Sequence, residues 1–276
     1  MAIAFLFASL VLVAGVGFYV TVGGARVTGR DIAWLSSTAH TPPAEAAVYG
    51  RYLERHRRHR LGGGLAGTFF AVVVGIRYYG SVSIGIGQGN PLADVLFCGL
   101  AGVLVGALSA ESFRLSEPQS TTVVASLASR GFHVDPRLGH VARGLAAAAV
   151  PVGAVVAATG NGFDALAVAV AGLGVAGIAE ATHRAIANRR RLVLSEAART
   201  VDVTIRSFAA RSVALLQLAA AVLVTGWVAS KAQFDDAVAL QLLQFVIVMS
   251  CLVATIVLLH RAAPRPPRGW GVERLS

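Results

Sequence analysis

The sequence predicts an all-α integral membrane bundle of seven transmembrane helices, N-terminus outside and C-terminus inside, with three like-oriented hairpins after an N-terminal anchor helix. Three observations predict it. First, 55% of the 276 residues are hydrophobic and only 14% are charged, with a mean hydropathy of +0.67. A soluble domain carries about 25% charged residues, so a soluble globular enzyme, a disordered chain and a coiled coil are excluded. Second, seven apolar stretches are long enough to be read as crossings of a hydrocarbon core about 30 Å thick, which takes about 20 residues of helix. Third, the basic residues segregate to one side of those stretches.

The stretches run approximately 2–23, 62–82, 92–110, 144–160, 163–180, 212–230 and 238–260, and together they make residues 1–276 a single transmembrane domain. The first is read as an uncleaved anchor. No Lys or Arg precedes Arg26, and the apolar run exceeds the 7–15 residues of a signal-peptide core. Its basic flank lies on the C-terminal side, which places the N-terminus outside. The fourth and fifth stretches are short, and the Gly160-Asn161-Gly162 turn between them, with Asp164, predicts a hairpin rather than one long span. Asn161 and Asp164 suit the start of the following helix, where such side chains satisfy free N–H groups.

Arginines then test the topology. Loops 24–61, 111–143 and 181–211 and the tail 261–276 hold 22 of the 24 basic residues. The opposite loops hold only Lys231, and Arg77 lies inside the second stretch. Inner loops carry excess Lys and Arg, so the +10 net charge needs no nucleic acid to explain it. Cys98 and Cys251 both fall in apolar runs and read as small packing residues.

Between the spans, residues 43–60 start a helix at Pro43, a residue well tolerated there, and end in the basic run Arg55 to Arg60. Residues 192–210 also read as helical, and both segments are expected to extend membrane helices or lie at the headgroups. Residues 115–141 and the basic tail, with their Pro and Gly, read as irregular chain. Small residues at four-residue spacing (Gly102, Gly106, Ala110) and Gly172, Gly174 and Gly177 place spans three and five centrally. Gly62-Gly63-Gly64 reads as a hinge or an interfacial break, and Pro151 as a kink. A short likeness between the ends of spans three and five, each closing on Ala-Glu with Arg114 or Arg184 nearby, hints at duplication.

Ionisable residues at spans are the candidate sites. Arg77 and Asp94 are expected at similar depth as an outer-face ion pair, serving either a ligand or the hairpin itself. Glu111 and Glu180 end spans three and five. They are candidate proton or cation carboxylates, or are neutralised by Arg114 and Arg184. Arg55, Arg57, Arg58, Arg60, Arg189, Arg190 and Arg191 are candidate contacts for anionic lipid or an acidic partner. His56 and His59 read as part of a solvated basic face. No metal, cofactor or catalytic constellation is recognised: there is no Walker A loop, no Gly-x-Ser-x-Gly and no H-E-x-x-H.

The run Arg55–Arg60 with Leu61-Gly62-Gly63, then Gly106-Ala107-Leu108-Ser109-Ala110-Glu111, Val124–Arg130 and Ala197–Ser207 resembles a group of polytopic, about seven-span membrane proteins common in actinobacteria. The likeness covers roughly residues 50–260. The acidic pair usual in that group before Ile-Arg-Ser is reduced here to Asp202. The resemblance implies a membrane protein and carries no activity. The expectation is therefore a cell-membrane protein without catalytic function, an accessory, scaffold or regulatory subunit partnered by another membrane protein. The alternative is a small-solute transporter or permease.

Overall fold

The computed structural model describes residues 26–79, 91–112, 136–161, 163–188, 196–232, 238–267 and 269–271. Within these, the side chains at 74–79, 91–94, 112, 136, 160–161, 187–188 and 196–198 are not described. The first stretch, and with it the anchor, lies outside the described residues.

All regular structure among the described residues is helical. The elements are α1 (Gly29–Ser36), α2 (Pro43–Tyr79), α3 (Pro91–Ser112), α4 (Pro136–Val156), α5 (Asp164–Asn188), α6 (Glu196–Ser230) and α7 (Val238–Arg261). Four of them, α4 to α7, are long and apolar enough to cross a membrane. Large apolar side chains stay exposed along α4, α5 and α7, among them Val155, Leu173, Leu242, Val246 and Val253. In water such faces would be unfavourable; against lipid they are matched.

Local sequence explains most helix starts. Thr28 caps α1 and forms a reciprocal box with Asp31, whose carboxylate accepts from the Thr28 N–H at 2.8 Å. Pro43, Pro91 and Pro136 open α2, α3 and α4, a place where a missing N–H costs nothing. Helix α2 runs 37 residues without a break through Gly62-Gly63-Gly64, so these glycines are neither a hinge nor an interfacial break. They serve packing. A methyl group on Gly63 would lie 2.2 Å from the Gly102 carbonyl oxygen, and one on Gly67 would lie 2.1 Å from that of Cys98. The α2 and α3 backbones therefore touch, with residue numbers running in opposite directions. Such contact relies on close dispersion and Cα–H···O interactions.

The predicted hairpin at 160–162 is present as a change of direction. Helix α4 ends in a π-helical turn, Ala157–Asn161, and α5 begins at Asp164. Gly153 packs against Ala165 and Ala169, which a continuous helix would hold about 18 Å or more away.

The bundle's centre differs from the expected one. Helix α6 packs against α3, α4, α5 and α7, and 72% of its most apolar window is buried, against 28% for α5. Leu216, Ala219, Ala220 and Leu223 of α6 sit in the main core with Leu104 and Leu108. Gly174 and Gly177 of α5, by contrast, have no neighbouring atom within 4 Å of an added methyl. A sequence apolar on nearly all sides, which α6 carries over Val213–Val224 with Gln217 the one polar residue, marks a buried helix better than a small-residue stripe does.

Candidate functional site

Antiparallel packing brings the basic part of α2, the ends of α3, α5 and α7, and the middle of α6 to one end of the bundle. There, α2 turns a polar stripe inward. Tyr49, Leu53, Arg57 and Arg60 follow helical spacing, as do Tyr52 and His56. All six are buried, and His56 is 0% exposed. The expected solvated face therefore holds only for part of this run: Arg51 and Arg58 are exposed.

Two sets of interactions use the stripe. In the first, Glu111 Oε1 accepts from the Tyr52 hydroxyl at 2.5 Å and lies 2.6 Å from His56 Nε2. The Tyr52 ring meets Phe208 of α6 edge-on at 6.2 Å. One turn along α2, His59 Nδ1 is 2.9 Å from the Ser109 hydroxyl. Burial lowers the His59 pKa from its ordinary value, and the neighbouring Arg55 and His56 side chains lower it further.

In the second set, Arg57 reaches Asp31 of α1 at 2.8 Å, the Pro264 carbonyl at 2.9 Å and the Arg26 carbonyl. Arg60 donates to the carbonyls of Leu259 at 2.6 Å and Ala262 at 2.7 Å. These are the free acceptors at the C-terminus of α7, where a cation is favoured. Ser212 donates to the same Ala262 oxygen at 3.0 Å, and Arg30 to the Trp270 carbonyl. The segment after α7 is thus strapped to α2 and α1 through its backbone. Burial alone would raise the Asp31 carboxyl, but the Arg57 and Thr28 hydrogen bonds and the Arg57 charge hold it below its ordinary 3.8. Burial, with Arg265 nearby, brings Arg60 down to about 10, so it stays charged at neutral pH.

The predicted site residues distribute as follows. Arg57 and Arg60 are buried inside the chain, which removes them from a lipid- or partner-facing cluster. Of that cluster, Arg58 is exposed and pairs with Glu54 at 2.6 Å. Arg55 is half-buried, with its Nε buried and lacking a hydrogen-bond partner among the described residues. Arg189, Arg190 and Arg191 lie outside the described residues, and the side chains of Arg77 and Asp94 lie outside the described side chains. Glu180 pairs with Arg184 at 3.2 Å and accepts from Gln217 at 3.3 Å. Glu111 instead has His56 and Tyr52, and Arg114 lies outside the described residues. The two carboxylates thus belong to different partners, on α2 for Glu111 and on α5 and α6 for Glu180.

The sequence reading did not place Tyr52, Asp31 or Ser212 at this end. The helical spacing of Tyr49, Leu53, Arg57 and Arg60 is the signal that could have found the buried stripe. No family model, curated protein or solved structure matches the chain.

Proposed function

We propose that this chain is a seven-span protein of the cell membrane, N-terminus outside, that acts without catalysis as a scaffold, accessory or regulatory subunit of a membrane complex. On this reading it belongs with the actinobacterial group it resembles. The observation that carries the proposal is the use to which the buried charges are put. Arg57 and Arg60 bind Asp31 and, through five hydrogen bonds, four backbone carbonyls, those of Arg26, Leu259, Ala262 and Pro264. Charges occupied in this way fix a shape and do not present themselves to a solute. The exposed Arg51 and Arg58 and the inner-loop arginines 189–191 remain for anionic lipid or an acidic partner. Nucleic acid is not called for.

The test is purification of tagged protein at native level in mild detergent, with mass spectrometry and reciprocal tagging of whatever co-purifies. A membrane protein in fixed stoichiometry supports the subunit role. A homomeric peak refutes it, and solute flux into proteoliposomes then tests the transporter alternative.

A further inference from the structure

Glu111 Oε1 receives two partners from one face of α2, spaced one helical turn apart. Two donors converging on one oxygen is an arrangement that stabilises a carboxylate anion. With Glu111 ionised, His56 Nε2 carries the hydrogen that lies between them. The other ring nitrogen, Nδ1, is buried and has no hydrogen-bond partner among the described residues. His56 is 0% exposed and Glu111 3%. An imidazole held by one nitrogen against a buried carboxylate, with the second left open, is a site built to take one more proton.

We propose that Tyr52, His56 and Glu111 form a buried proton-binding site, loaded at His56 Nδ1. Uptake of one proton from water forms the Nδ1–H bond and turns the imidazole into an imidazolium facing the Glu111 carboxylate. Release returns the lone pair to Nδ1 and the proton to water. No other covalent bond changes. Tyr52 keeps its hydrogen throughout and holds the carboxylate in place.

Other charged and titratable groups lie around this pair, most of them with partners of their own. On α2 the neighbouring charged or titratable groups are Arg55, His59 and Arg60; His59 is engaged with Ser109 of α3, and Arg60 with α7 carbonyls. From α6, Phe208 faces Tyr52, and the charged Asp202 and Arg206 lie 2.7 Å from each other. From α1, Asp31 faces Arg57. On α5, Glu180 is taken by Arg184 and Gln217.

The site spans the α2–α3 seam just beyond the point where the two backbones touch, at the His59 carbonyl and Gly106. A unit change of charge away from water is costly unless the surroundings adjust. Loading and the packing of α2 on α3 are therefore coupled. A scaffold with this site carries a proton-sensitive seam, which goes beyond the subunit reading and does not depend on it.

The experiment uses the full chain in lipid nanodiscs, labelled with ¹⁵N-histidine and ¹³C-glutamate, followed by solid-state NMR against pH. A ¹³Cδ–¹⁵Nε2 through-space correlation reports the His56–Glu111 pair, 2.6 Å apart, and is assigned by its loss in His56→Asn. The expected result is one transition shared by the two resonances, with the proton appearing on Nδ1. Glu111→Gln abolishes the shared transition, and Tyr52→Phe preserves it. If Glu111→Gln does not fold, the unmodified protein decides alone. Resonances that do not move together, or an Nδ1 that never gains a proton while the protein stays folded, overturn the proposal. So does a His56 response that is unchanged in Glu111→Gln.

Discussion

Replacing Gly102 with alanine puts a methyl group 2.1 Å from the Gly63 carbonyl oxygen and 3.1 Å from the Gly67 Cα. Ordinary contact starts near 3.4 Å, so the two helices must part by about 1.3 Å at this level. The obstacle is backbone, which cannot turn to another rotamer as a side chain would. Overpacking of a rigid site costs about 1–3 kcal/mol, and here the upper part of that range is expected. For a protein of this size that is a fall in Tm of roughly 4–12 °C. Gly62→Ala is the matched control, one residue before Gly63 in the facing helix. No atom lies within 4 Å of its added methyl, and alanine favours helix by up to about 1 kcal/mol. The assay is thermal unfolding of both variants in the same detergent, read by intrinsic fluorescence and by the monodisperse fraction after heating. A Gly102→Ala protein as stable as the original would refute the backbone contact. Equal destabilisation by Gly62→Ala would refute the geometric argument that separates the two.

Two further predictions concern the strap. The Asp31 carboxyl is held below 3.8 in the folded chain, so its stabilisation is present above that pH and lost as pH falls through the folded value. Asp31→Asn should therefore lower stability at neutral pH and narrow the gap to the original protein in acid, as measured by denaturation midpoints against pH; an unchanged gap would remove Asp31 from the account. Arg60→Ala should destabilise by about 1.5–3 kcal/mol, because the Leu259 and Ala262 carbonyls lose a charged donor. Arg58→Ala, at a side chain 66% exposed, should cost under about 1 kcal/mol. Detergent-phase melts of the pair would contradict the burial pattern if they came out alike.

Much of the bundle was legible because span length and apolar content are local properties. Helices α4 to α7 fall where the stretches 144–160, 163–180, 212–230 and 238–260 lie, and Pro43 opens α2 as read. Helix α1 was passed over: at eight residues it carries little periodic signal, and its Thr28–Asp31 box is its only strong mark. The polar stripe on α2 was hidden for a different reason. Arg-Tyr-Leu-Glu-Arg-His-Arg-Arg-His-Arg looks like a solvated surface to any local reading. What buries His56 is Glu111, and what buries Arg57 and Arg60 is the chain near residue 260. Partners about 50 and 200 residues away leave no trace in a window of ten. The central place of α6 was missed because glycine spacing was weighed above all-round apolarity.

The place of α6 in the chain sets the order in which the molecule can be made. Translation delivers α2–α3 and α4–α5 first, each an antiparallel pair with its own glycine contact. The helix they share arrives sixth among the described elements. Until it is made, the two early pairs leave uncovered the surfaces that later close on it. Assembly is thus a late event in which one newly made segment gathers components already formed. A chain ended after Asn188 would hold both hairpins and no bundle.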